Sequence, residues 1–179
     1  MKKDNCYILT GGPGSGKSTV LELLKNKDYP CIPESGRTII IEEKKKNSSA
    51  LPWKDQELFR DLMFKRDKEN FLKTVDGKTY FFDRGIVDSI GYSHLENISI
   101  SKDLDNAAKT MKYNTTVFAF PPWEEIYEKD TERKQSFETA ILTYNNVIKA
   151  YMHYGYKVVN VPKDTPENRL EYILRKIGL

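Results

Sequence analysis

Gly11-Gly12-Pro13-Gly14-Ser15-Gly16-Lys17-Ser18 reads G-x-x-x-x-G-K-[ST] in full, and it lies between two segments of different periodicity. Before it runs Asn5-Cys6-Tyr7-Ile8-Leu9, a short apolar stretch stopped by glycine. After it, Val20, Leu21, Leu23 and Leu24 recur at helical spacing over residues 17–25. Strand, glycine loop, helix is the context in which this motif cradles phosphate. The glycines let the backbone curl so that its N–H groups turn toward phosphate oxygens, and the helix that begins near Lys17 adds the positive end of its dipole. Lys17 is placed to reach the β- and γ-phosphates, and the Ser18 hydroxyl to ligate Mg²⁺. The set expected to contact ATP is Gly12, Pro13, Gly14, Ser15, Gly16, Lys17, Ser18 and Thr19, with Pro162 at the end of the last strand. A dinucleotide fingerprint is excluded, because Gly12-x-Gly14 is followed by Lys17 where the third glycine belongs.

The same grammar repeats along the chain. Apolar or aromatic runs over residues 29–33, 79–82, 115–120 and 157–161 read as strands. Residues 34–42 have a helical start, and Lys44-Lys45-Lys46-Asn47-Ser48-Ser49 reads as a solvated loop. Leu58, Leu62, Phe64, Phe71 and Leu72 fit a long amphipathic helix over 53–74, entered through Pro52 near its first turn. Further helices are expected over 87–95, 137–154 with Gly155 closing it, and 166–177. The charged stretch 123–134 breaks helical periodicity around Asp130-Thr131, and a lid is expected there. Alternating strands and helices predict one α/β domain over residues 1–179, built on a mostly parallel sheet. Ligands of such sheets bind beyond the carboxyl ends of the strands.

Composition narrows the chemistry. The 179 residues carry 29 Lys+Arg against 26 Asp+Glu, a balance that argues against a polycationic nucleic-acid binder. Cys6 and Cys31 have no metal-ligand or C-x-x-C spacing, and His94 and His153 none either. No apolar run approaches the roughly 20 residues of a membrane span. The expectation is a cytoplasmic protein, monomer or homodimer, whose partner is a small molecule rather than a nucleic acid or a membrane.

The residues that interrupt the strands carry the remaining signals. A hydrolytic ATPase places Glu after the acidic residue that organises Mg²⁺, whereas here Asp83 is followed by Arg84. That substitution favours phosphoryl transfer, with Asp83 supporting the metal and Arg84 serving as a donor to phosphate or acceptor, or pairing with Asp88 four residues on. Glu34 ends the second strand and is the candidate general base, with helix capping as its alternative role. Arg37, one turn later, is placed to hold Glu34 or bind an anionic acceptor. Arg133 and Lys134 are the lid cations best placed to cover transferring phosphates, Arg133 foremost. Trp53 and Trp123 offer rings that stack on an aromatic acceptor or pack locally. No N-K-x-D element follows a strand, so ATP is expected over GTP.

Taken together, the phosphate loop, Pro33-Glu34-Ser35-Gly36-Arg37, Leu51-Pro52-Trp53, Phe82-Asp83-Arg84-Gly85 with Asp88 and Tyr92, Pro121-Pro122-Trp123, Glu132-Arg133 and Gly155-Tyr156 through Val161-Pro162 resemble the NadR-like AAA-domain family. That family is similar to the nicotinamide riboside kinase domain of NadR and to the TRPL-translocation-defect proteins of animals. The resemblance implies a three-layer P-loop NTPase of nucleoside/nucleotide-kinase type, with a parallel sheet ordered 2-3-1-4-5 and a lid after the fourth strand. Glu34 and Asp83-Arg84 also resemble the base and acidic-Arg pair of deoxynucleoside kinases. The expected activity is transfer of the ATP γ-phosphoryl to a hydroxyl or phosphate of a nucleoside-like acceptor contacted by Glu34, Arg37, Trp53, Arg84 and Asp88. The alternative is a nucleotide-dependent regulator or weak ATPase that acts through a protein partner.

Overall fold

The computed structural model describes residues 1–127 and 136–179. Strand β1 (Cys6–Gly11) is the centre of a five-stranded sheet in the order β2 (Cys31–Ile32), β3 (Tyr80–Asp83), β1, β4 (Thr116–Phe120), β5 (Lys157–Asn160), with every neighbouring pair parallel. This is the order that the resemblance implies. The connecting helices are α1 (Lys17–Asn26), α2 (Ser35–Lys45), α3 (Gln56–Lys73), α4 (Ile86–Leu95), α5 (Lys102–Thr110), α6 (Phe137–His153) and α7 (Pro166–Ile177).

Parallel strands buried on both faces must be apolar at nearly every position, and the alternation of side chains then feeds two separate cores. Cys6 and Ile8 of β1, Phe82 of β3 and Val117 of β4 point to one face, where Phe71, Ile90, Leu104, Val147 and Tyr151 cover them. Leu9, Phe81 and Phe118 point to the other, against Val20 and Leu24 of α1 and Leu170 and Ile173 of α7. Each such side chain contributes roughly 1.5–3 kcal/mol by leaving water. The result is three layers, helix on sheet on helix.

Helix α4 lies so close to α6 that a Cβ on Gly91 would stand 2.6 Å from Val147 Cγ2 and 2.7 Å from Val147 Cα. Two helices in contact through backbone cannot yield to an added methyl without separating. Gly91→Ala is therefore expected to destabilise the fold by about 1–3 kcal/mol, read as a lower urea midpoint at unchanged slope.

Several elements differ from the sequence expectation, each for a local reason. Helix α3 starts at Gln56 rather than near Pro52, because Asp55 Oδ1 accepts from Leu58 N at 2.9 Å and caps it there. Residues 51–55 instead form a turn, with Lys54 N and Asp55 N donating to Leu51 O. Its buried face is Phe59, Arg60, Asp67 and Phe71, while Leu58 and Leu72 are exposed. Arg60 enters the interior because Ser93 Oγ and Ser99 O each accept from Nη1 at 2.9 Å, and Asp61 accepts from Nε at 2.7 Å. Helix α2 runs on through Lys44 and Lys45, where the cations oppose the negative end of its dipole; the basic stretch is half helix, not wholly loop. Helix α5 has no counterpart among the expected elements; Ser101 caps it, and its buried side chains are only Leu104, Ala107 and Ala108. Of the expected lid, Glu124–Ile126 form a 3-10 turn, and Arg133 and Lys134 lie outside the described residues.

Candidate active site

The register fixes what meets at the carboxyl edge. Leu9 pairs with Asp83 and Gly11 with Phe120, so the phosphate loop that leaves β1 has Asp83-Arg84 on one side and the end of β4 on the other. A cavity of about 1200 Å³ opens above them. Pockets for one small molecule span about 300–1000 Å³, so this one is large enough for two ligands side by side. Residues 13–19 form its floor, Trp123, Thr165 and Arg169 one wall, and Glu34, Arg37, Trp53, Phe59 and Tyr92 the other.

Gly16, at φ 79°, is the left-handed N-cap from which α1 starts, so Lys17 is the first helical residue. Lys17 is 6% exposed, and its Nζ donates to Gly12 O at 3.2 Å and to Ser15 Oγ at 3.4 Å. Burial, helped by the charge of Arg84, pulls its pKa down to about 8, against the pull of Asp83, Glu34 and Asp88. Burial likewise pushes Asp83 up to about 6, with Lys17 opposing it. Asp83 Oδ1 is closed from solvent and has no hydrogen-bond partner. Ser18 lies on the same floor with its side chain exposed. A buried carboxylate oxygen left without a donor, on the strand paired with the one that runs into the phosphate loop, suits Mg²⁺, which takes one or two protein oxygens and fills its shell with phosphate and water.

Arg84 adopts φ 72°, a left-handed conformation that costs a non-glycine residue about 1–2 kcal/mol. Its N–H donates to Leu9 O at 2.9 Å, which ties the turn to β1 and aims the guanidinium sideways. Nε donates to Glu34 Oε1 at 3.1 Å and Nη1 to Asp88 Oδ1 at 3.4 Å. Burial acts against the charge, but Glu34, Asp88 and Asp83 together hold the guanidinium above its ordinary pKa. Glu34 is the N-cap residue of α2, yet its side chain makes no capping bond and turns to Arg84 instead.

The other expected residues separate into two groups. Arg37 and Trp53 line the cavity, Trp53 with Lys44 Nζ 5.2 Å above its ring. Asp88 does not line it. Tyr151 OH donates to Asp88 at 2.6 Å and Gly85 N at 2.9 Å, Thr10 donates as well, and Asp88 stands behind Arg84 as its second carboxylate. Pro162 is exposed and outside the lining, which on that side comes from Asp164, Thr165, Pro166 and Arg169.

Two residues that the sequence did not single out belong to this region. Asp67 of α3 is buried and accepts from Ser35, the residue after Glu34, beside a small chamber that Glu34, Arg84 and Asp88 also line. Its signal is the four-residue repeat Phe59, Met63, Asp67, Phe71, a carboxylate on an otherwise apolar stripe. Arg169 of α7 is 2% exposed and donates to Ser15 O at 3.0 Å. It too breaks an apolar face, shared with Leu170 and Ile173.

Burial pushes Asp67 up to about 7, the Ser35 hydrogen bond opposing and the charges of Asp88 and Glu34 adding. An acid with a raised folded pKa holds protons that the unfolded chain has already released, so stability falls as pH rises from about 4 through 6 to 7 for Asp83 and Asp67. Lys17, whose pKa is lowered to about 8, adds the opposite slope above that value. The nucleotide-free protein is expected to melt lowest near pH 7–8, at least about 4 °C below its value at pH 5. Asp67→Asn should flatten that slope between pH 5 and 7; an unchanged slope in a folded variant contradicts the assignment.

A family model described as AAA domain matches residues 6–169. No curated protein matches the chain. Among solved structures, the deoxyadenosine kinase from M. mycoides, with products dCMP and a flexible dCDP bound, superposes with a TM-score of 0.67 at 14% identity, over 97% of this chain and 98% of that one. Thymidylate kinase from Ehrlichia chaffeensis gives 0.63 at 16% identity over 99% and 100%, and shikimate kinase from Aquifex aeolicus 0.57 at 19% over 97% and 96%. The fold is that of a kinase-like P-loop protein.

Proposed function

This chain belongs to the AAA-domain family whose model spans residues 6–169, and from that premise we propose that it is a kinase moving the γ-phosphoryl of ATP to a hydroxyl of a nucleoside-like acceptor. The observation that carries the reading is the Glu34–Arg84 pair, held at 3.1 Å on the cavity wall that shares its floor with Lys17. Its carboxylate makes no capping bond to α2 and is held by Arg84, which supports a role as the base.

Each residue then has a task. Lys17 and the N–H groups of residues 14–18 hold the β- and γ-phosphates of the donor, and the start of α1 adds its positive end. Ser18 and Asp83 would hold Mg²⁺, which neutralises phosphate charge when bound. The acceptor ring lies against Trp53, Phe59 and Tyr92, and Arg37 faces its polar end. Glu34 takes the hydroxyl proton as the acceptor oxygen bonds to phosphorus, the bridging bond to ADP breaks, and ADP leaves with that electron pair. Arg84 screens the charge that develops between them. That Glu34 and Asp88 both occupy Arg84 supports a hydroxyl acceptor over a phosphate one. Arg133 is proposed to cover the phosphates from the lid.

The experiment is a Mg·ATP phosphotransfer screen across nucleosides, nucleotides and nicotinamide riboside. Acceptor-dependent ADP formation with a phosphorylated product supports the reading. ADP formation that no acceptor stimulates, or that Glu34→Ala leaves unaffected, contradicts it and favours a regulatory ATPase.

A further inference from the structure

Arg169 is a buried cation of a different kind from its neighbours. The other buried guanidiniums have acids: Arg60 has Asp61 and Glu57, and Arg84 has Glu34 and Asp88. Among the described residues no carboxylate lies within ion-pair distance of Arg169. Its Nη2 donates to Ser15 O, its Cζ stands 4.5 Å from the Phe120 ring centroid and 5.7 Å from that of Trp123, and its Nε is closed from solvent without any partner. Burial alone draws its pKa down to about 10, with no acidic neighbour acting against it, so it stays charged at neutral pH.

Holding a charge out of water without an opposite charge is costly, a cost that a purely structural tie could avoid with an apolar or neutral side chain. The position says where the missing anion comes from. A Cβ on Gly16 would stand 2.6 Å from Arg169 Nη1, so the guanidinium lies directly against the turn of the phosphate loop, and it lines the same cavity as residues 13–19. Its carbonyl partner, Ser15 O, belongs to a peptide of the loop whose N–H groups serve phosphate. The Phe120 and Trp123 rings lie against it.

On the reading that this loop binds a nucleotide, we propose that Arg169 is a fixed positive charge set against the phosphate loop from α7, a positioning residue that makes affinity rise with the number of phosphates on the donor. It acts through the loop, by holding Ser15 and by the field it adds to the phosphate cradle. The ligand class is therefore a nucleoside polyphosphate, distinguished from its monophosphate by Arg169 in addition to Lys17.

The test compares equilibrium binding of ATP, ADP and AMP to the full chain in wild type, Arg169→Lys and Arg169→Gln. Glutamine keeps a donor for Ser15 O without the charge, and lysine keeps the charge. The ATP-to-AMP affinity ratio is expected to fall about tenfold in Arg169→Gln and to be largely retained in Arg169→Lys. Equal losses for all three nucleotides in Arg169→Gln, with the ratio unchanged, overturn the proposal, since that is what a structural tie alone produces. A wild-type chain that binds none of the three overturns the nucleotide reading itself. Should Arg169→Gln not fold, the wild type carries the test. The Arg169 Nε–H resonance, assigned by its loss in Arg169→Lys, is expected to shift further with ATP than with AMP; identical shifts overturn the proposal.

Discussion

Glu34→Gln is expected to lower kcat for acceptor phosphorylation about 10²- to 10⁴-fold while ATP affinity changes little. Glutamine fills the same space and still accepts from Arg84 Nε, so the guanidinium keeps its place and α2 its start. What is lost is the ability to take a proton from the attacking hydroxyl. The expected pattern is a fall in kcat with unchanged donor KM, measured by coupled ADP detection at saturating acceptor. A variant whose kcat stays within about twofold of wild type removes Glu34 from the chemistry. Equal losses in kcat and ATP affinity instead assign it to loop geometry through Arg84.

Lys17→Ala is expected to lower kcat/KM for ATP by about 10²- to 10³-fold or more, because a charge fixed in a water-poor site stabilises transferring phosphate far better than one in solvent. The same variant makes an opposite prediction for stability. Lys17 is buried, and its folded pKa of about 8 lies below its unfolded one, so the fold holds this charge against the cost of burial at pH 7. The sign follows from proton counts: between pH 8 and the unfolded pKa the unfolded chain binds more protons, so stability rises with pH across that window. Removing the ammonium should therefore leave the melting temperature of the nucleotide-free protein unchanged or higher at pH 7, while ATP no longer raises it. Loss of both the fold and the activity contradicts this picture of a charge kept for its ligand.

The parts legible in the sequence are those governed by short-range patterns. Apolar strands, glycine stops and helical spacing place β1, the phosphate loop and α1, and Pro166–Ile177 is a helix with the bounds expected of it. The strand order, by contrast, rests on the resemblance and not on periodicity, because nothing in a strand's own residues says which neighbour it takes. Side chains whose environment is assembled from distant segments escape local reading. Asp67 looks like a surface acid of an 18-residue helix until Ser35, 32 positions earlier, is brought to it. Arg169 meets Ser15 across 154 residues. Asp88 was legible as Arg84's partner four residues on, but Tyr151 and Thr10, which bind its oxygens from α6 and β1, were not. The rotated face of α3 has the same origin: Arg60 is buried only because Ser93 and Ser99 wait for it.

The measurement closest to the central claim is the rate of ADP formation from Mg·ATP with and without each nucleoside, run in parallel for wild type and Glu34→Gln. The account predicts at least one acceptor that accelerates ADP formation in wild type, with phosphate recovered on that acceptor, and loss of the acceleration in Glu34→Gln. A basal hydrolysis rate that no acceptor raises and that Glu34→Gln leaves intact contradicts it.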